Sequence, residues 1–210
     1  MIVEELPGFP VPRETEEVTG VQERRVAICE AVLDLAAAGG NRAVTHGAVD
    51  RALGLPKGSA SYYFRTRSGL LRAAIEHLAG RSRAALEEAS PDAPADPDAA
   101  ADVIAEQLHL LLTDRRRDAL ARYALVTDAA GAGLADSLAT CLFSRPLATD
   151  LFAALGTVEP GPAAADLVSL LEGLLFDRLY GARSLGPPPT REESVADLVG
   201  PVRRAISFRA

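Results

Sequence analysis

Tryptophan is absent, and only six Phe and four Tyr are spread over the 210 residues. The 48% apolar content is enough for a sizeable core, which must be built mainly from Ala, Leu and Val. Ala and Leu favour helix. The two cysteines, Cys29 and Cys141, lie in separate apolar segments, which excludes a CxxC or zinc spacing and a disulfide framework and makes a reducing cytoplasm the expected compartment. No window approaches the ~18 uninterrupted apolar residues of a membrane span. The opening MIVEELPGFPVPRETEEVTG carries acids and three prolines where a secretory signal needs a basic start and an apolar run. Residues 1–20 are expected to form a disordered arm. Strand-like alternation is missing, and no period of 20 to 50 residues recurs, which sets aside sheets and solenoids.

Catalytic signatures are also missing. HExxH, GxSxG, a P-loop and GxGxxG do not occur. Glu106 and His109 have the Glu-x-x-His spacing of helical di-iron centres, but the second copy those centres need is absent, since His46 and His77 have no Glu three residues before them. No enzyme, cofactor or metal is expected.

The net charge of -7 argues against a nucleic-acid partner when taken as one number. Split along the chain, its sign changes. Val21 to Arg83 holds ten Lys and Arg against five Asp and Glu, while Ala84 to Ala210 holds eleven against nineteen. A basic front on an acidic body suits a protein that meets a polyanion at one end. The run Arg115-Arg116-Arg117 in the acidic part reads as a solvated corner between helices.

Apolar spacing and breakers divide the chain into about nine helices. The first spans roughly Gln22 to Ala38 and stops at Gly39-Gly40; Thr45 caps a second, short one that ends at Gly54-Leu55-Pro56; a third runs from about Gly58 to Phe64. Ser68 to Glu88 reads as one long helix with Leu70, Leu71, Ala74, Ile75 and Leu78 on its apolar stripe. SPDAPADPD, residues 90 to 98, is a linker. Beyond it the expected helices are about Ala99 to Thr113, Arg116 to Ala130, Leu134 to Leu155 with Pro146 kinking or dividing it, Ala163 to Ser184, and Arg191 to Ile206.

Two short helices joined by a tight Gly-containing turn, preceded by a covering helix, form a helix-turn-helix unit whose second short helix enters the major groove. That helix begins KGSASYY: Lys57 for phosphate, Gly58 for close approach, Ser59 and Ser61 as short donors and acceptors, Tyr62 and Tyr63 as hydroxyls on rigid rings. The stretch THGAVDRALGLPKGSASYYFRTRSGLL resembles the signature of the tetracycline-repressor-like (TetR) transcriptional regulators, through its Gly-Leu turn, its Lys-Gly-Ser helix start, its aromatic pair, its Phe, and a basic residue followed by two leucines. The resemblance covers about 60 residues, Gln22 to Arg81.

It implies an all-α fold: a three-helix DNA-binding head (21–67) on a larger helical ligand-binding and dimerisation body (68–210), with helix 68–88 connecting them. It implies a cytoplasmic, ligand-responsive regulator, in the usual mode a repressor, bound to a palindromic double-stranded operator and paired through its last two long helices. By the resemblance, Thr45 caps the second helix and donates to a phosphate. Lys57, Gly58, Ser59, Ser61, Tyr62 and Tyr63 line the groove, Arg67 faces the backbone, and Phe64 is buried. Three positions depart from the pattern: Ala60 stands where a larger apolar residue is usual, Ser61 where a Tyr often contacts phosphate, and Asp50 where a small Ala packs. In the body, His109, Tyr123, Thr127, Phe143, Phe152 and Phe176 are the candidates for a small-molecule pocket. The other reading is a helical small-molecule-binding protein whose head has lost operator recognition through Asp50.

Overall fold

The computed structural model describes residues 13–89, 96–131 and 133–208, and among them ten α-helices and no strand. The helix α1 (Arg13–Gly39) begins nine residues before the expected Gln22. RETEEVTG contains no proline after Pro12, so nothing in it stops a helix. Residues 1–12, most of the expected arm, lie outside the described residues. On α1, Ile28, Val32 and Leu33 are fully buried.

The helix α2 (His46–Ala52) is capped by Thr45, whose Oγ1 accepts the Ala48 N–H at 3.1 Å. The turn after it passes through Gly54, whose φ of 62° is the left-handed conformation that glycine adopts without strain. Then follow α3 (Ser59–Tyr63) and the long α4 (Arg67–Ala89), which buries Leu70, Leu71, Ala74, Ile75 and Leu78 as its stripe predicts. The helices α1 to α3 form the three-helix head, and α4 leads from it into the body.

The body comprises α5 (Pro97–Leu112), α6 (Arg116–Gly131), α7 (Ala135–Ala139), α8 (Arg145–Ala154), α9 (Pro160–Tyr180) and α10 (Arg191–Ser207). Asp96 and Pro97 of the predicted linker start α5, Asp96 Oδ1 accepting the N–H groups of Asp98 and Ala99. The segment Leu134 to Leu155 is divided as Pro146 allows. Ser144 caps α8, Pro146 sits in its first turn, and Cys141 and Leu142 turn into the core between α7 and α8. In α9 the prolines occupy the first turn, so the helix begins three residues earlier than expected. Thr190 and Glu193 close a capping box at the start of α10. In the body α5 packs on α10 and α8 on α9, and α1 packs against α6.

Candidate functional site

The turn between α2 and α3 is built around Asp50. The residue is 3% exposed, and its Oδ2 accepts the Gly58 N–H at 2.7 Å while Oδ1 accepts the Ala60 N–H at 2.8 Å. Ala60 is fully buried beside it. Two of the three departures from the signature, Asp50 and Ala60, are one local arrangement: an acid on α2 meets the start of α3, and a small residue lies where it arrives. Gly58 has φ 95°.

Around that start, Lys57, Gly58 and Ser61 are exposed, and Tyr62 is 81% exposed with its ring edge-on to half-buried Tyr63, centroids 5.3 Å apart. The Ser59 hydroxyl donates to Pro56 O at 2.7 Å and so closes the turn. Phe64 is buried under the Arg25 guanidinium, 4.4 Å from its ring centre, and Arg25 Nη1 also donates to Tyr63 O at 3.2 Å. Arg67 donates from Nε to Val44 O at 3.2 Å and from Nη2 to Asn41 O at 2.8 Å, tying the start of α4 to the loop before α2. Thr45 is exposed at the mouth of α2. The structure thus brings Lys57, Ser61, Tyr62 and Tyr63 together on α3 and its approach, and gives Ser59 and Arg67 partners within the head.

Behind the head lies an ionic cluster that charge patterning missed. Asp118, with a side chain 1% exposed, is within ion-pair distance of Arg117 (2.8 Å), Arg115 (3.4 Å) and Arg81 (3.7 Å). Glu30 on α1 takes Arg117 at 2.5 Å, Arg81 at 2.9 Å and His77 Nε2 at 2.5 Å, while Arg117 also reaches Asp34 at 3.0 Å. Burial alone pushes the Glu30 carboxyl up, but the hydrogen bonds from His77 and Arg117 and the charges of Arg117 and Arg81 outweigh it and hold it at about 2. The reading of Arg115 to Arg117 as a solvated corner is therefore corrected: Arg115 and Arg117 join α6 to α4 and α1. The Arg117 partners Glu30 and Asp34 lie more than 80 positions away in sequence and the Arg115 partner Ser82 lies 33 away, out of reach of any local pattern.

A cavity of about 400 Å³ opens between α4, α5, α8 and α9. Leu86, Ile104, Leu108, Phe143, Leu147 and Leu171 are among its apolar lining, and Gln107, Ser144 and Arg115 among its polar groups. Arg115 also donates from Nη2 to Ser82 Oγ at 2.8 Å, so a residue of the cluster forms part of the cavity wall. Of the six pocket candidates, Phe143 lines this cavity. His109 turns the other way, its Nδ1 3.0 Å from Ser194 Oγ on α10, and Glu106 pairs with Arg191 at 2.7 Å. Phe152 is wholly enclosed in the core. Tyr123 and Phe176 meet Tyr180 in an aromatic cluster on the outer side of α6 and α9, where the Tyr123 hydroxyl donates to Glu172 Oε2 at 3.3 Å. The side chain of Thr127 lies outside the described residues. Ile104 and Leu147 went unnoticed in the sequence because they look like ordinary core positions.

Burial pushes the Cys29 thiol up to about 11 and the Cys141 thiol up to about 12, which disfavours the nucleophilic thiolate. Among the described residues no group of three or more His, Cys, Asp and Glu could hold a metal ion, and no helix is long and apolar enough to cross a membrane.

Comparison with known proteins gives the same picture. No curated protein matches the chain. A structure described as a TetR-family transcriptional regulator from Rhodococcus sp. is 25% identical, with a TM-score of 0.66 over 89% of this chain and 98% of that one. A transcriptional regulator from Streptomyces coelicolor A3(2) is 27% identical, with a TM-score of 0.61 over 86% and 98%. The multidrug binding protein EbrR complexed with imidazole, 24% identical, shares the fold with a TM-score of 0.61 over 85% of this chain and 94% of its own. Residues 95–204 match the family described as tetracyclin repressor-like, C-terminal domain. With a helix-turn-helix head in front of that matched body, the chain belongs to the TetR family of transcriptional regulators.

Proposed function

We propose that the protein is a dimeric, ligand-responsive repressor that leaves a palindromic operator when a small hydrophobic effector enters the body. The observation that carries this reading is the pairing, in one chain, of an exposed Lys57-Ser61-Tyr62 surface on α3 and its approach with an apolar cavity behind α4. Lys57 supplies phosphate attraction, and Ser61, Tyr62 and Tyr63 supply base or sugar contacts. Thr45 and Gly58 flank that surface, with Ser59 and Arg67 holding its shape. The cavity suits a mostly apolar molecule with one or two hydrogen-bonding groups, which Gln107 and Ser144 can meet. EbrR, of the same fold, is complexed with proflavin in another structure, which supports a small-molecule role for such a body.

Selection of bound sequences from random duplex DNA tests the reading. A palindrome should emerge, and a pool left without enrichment would count against operator recognition. Lys57→Ala should weaken binding to every duplex and reduce the salt slope by about one. Lys57→Ala and Tyr62→Ala combined should lower affinity by at least tenfold, on the order of 1.4 kcal/mol; a gel-shift titration showing no change contradicts the assignment.

The dimer is supported by the outer face of α9. Asp166, Ser169, Gly173, Phe176 and Tyr180 are exposed at three- and four-residue spacing, and Phe176 and Tyr180 are each about half exposed. Small residues in the middle allow close helix approach, and aromatics at the end are typical anchors. Two recognition helices about 34–36 Å apart then match successive major grooves. Sedimentation at micromolar concentration should give twice the chain mass, and Phe176→Glu should shift it towards the monomer; a wild-type monomer contradicts the pairing.

A further inference from the structure

We propose that Asp50 is the positioning residue of the recognition helix, fixing α3 in its DNA-reading orientation before DNA arrives; this rests on the DNA-reading role proposed above. A five-residue helix has almost no stability of its own, because nucleation costs more than one turn returns. Its first N–H groups also need partners. Gly58, at the N-cap, has no side chain to supply one, and the Ser59 hydroxyl is turned back onto Pro56 O. Asp50 takes both tasks from a neighbouring helix, one carboxylate oxygen on Gly58 N–H and the other on Ala60 N–H. Its own carbonyl accepts Leu55 N–H at 2.8 Å, so one residue grips the turn at both ends.

The chemistry needs a carboxylate. Two N–H donors converge on it, and at 3% exposure water cannot substitute. An asparagine of the same shape accepts through its oxygen and turns its NH₂ towards the other donor. The arrangement also changes how the head meets DNA. The Gly58 and Ala60 N–H groups are already satisfied inside the protein, so they are not available to a phosphate. Discrimination falls to the side chains of Ser61, Tyr62 and Tyr63, whose directions depend on α3 being held.

The test compares the full-length wild type with Asp50→Asn and with the double variant Asp50→Ala/Ala60→Leu, in which leucine fills the vacated space. Three quantities are read: the ratio of affinities for the selected duplex and a scrambled one, the melting temperature, and amide hydrogen exchange at Gly58 and Ala60. Asp50→Asn should lower the ratio by about tenfold. Its affinity for the scrambled duplex, set by phosphate charge, should change by less than about twofold. The double variant should regain melting temperature and not the ratio. A ratio preserved in Asp50→Asn, or restored in the double variant, overturns the proposal, since Asp50 would then only occupy space. Should the wild type prefer no duplex, the operator-binding role fails separately. Exchange then decides for Asp50: faster exchange at Gly58 and Ala60 in both variants supports its hold on α3, and unchanged exchange refutes it.

Discussion

Asp118→Ala is expected to lower the stability of the fold by about 3–5 kcal/mol, the usual cost of removing one partner from a buried ionic group. The side chain is 1% exposed and stands among Arg81, Arg115 and Arg117. Its removal leaves those guanidiniums facing one another without the carboxylate they share. Arg117 keeps Glu30 and Asp34, and Arg81 keeps Glu30, but among the described residues Arg115 keeps only its hydrogen bond to Ser82. Asp118 also lies in the first turn of α6, where a negative charge complements the helix dipole. Asp118→Asn preserves shape and some hydrogen bonding, and its loss should be smaller. Urea unfolding of the three proteins checks the order; an alanine variant within about 0.5 kcal/mol of wild type would show that solvent screens the cluster.

Phe152→Ala should cost a similar amount, about 3–5 kcal/mol, for an unrelated reason. Phe152 is wholly buried on α8, a helix that packs on α9, and in a chain with ten Phe and Tyr each large ring fills space that alanine cannot. The void left behind loses transfer free energy and contacts together. Phe143→Ala is the informative comparison, because Phe143 already borders the cavity. It should cost distinctly less and enlarge an existing space. Thermal unfolding of both variants gives the contrast; equal losses would mean that the cavity wall is as tightly packed as the core.

The helical layout was legible because its signals are local. Gly39-Gly40, Gly54-Leu55-Pro56 and the prolines at 160 and 162 are breakers or first-turn residues wherever the rest of the chain lies, and the stripe Leu70 to Leu78 states its own buried face. The head was legible for the same reason, since the turn and α3 occupy consecutive residues. What escaped notice depends on distant parts of the chain. Arg117 looked solvated until α1 supplied Glu30 and Asp34, and Arg115 until α4 supplied Ser82. Asp50 looked like a packing defect because its partners are backbone N–H groups, which no residue type announces. Phe152 and Ile104 are both apolar helix residues, and only the packing of α5, α8 and α9 decides that one is enclosed and the other faces a void.

Arg115 has a consequence of its own, because it borders the cavity on one side and Asp118 on the other. The strength of an ion pair depends on the polarisability of its surroundings as much as on its length. An uncharged molecule filling the cavity would displace water from one flank of the guanidinium, lower the local dielectric, and deepen the attraction between Arg115 and Asp118 without touching either charge. Occupancy of an apolar space would thus be felt as electrostatics at the junction of α4 and α6.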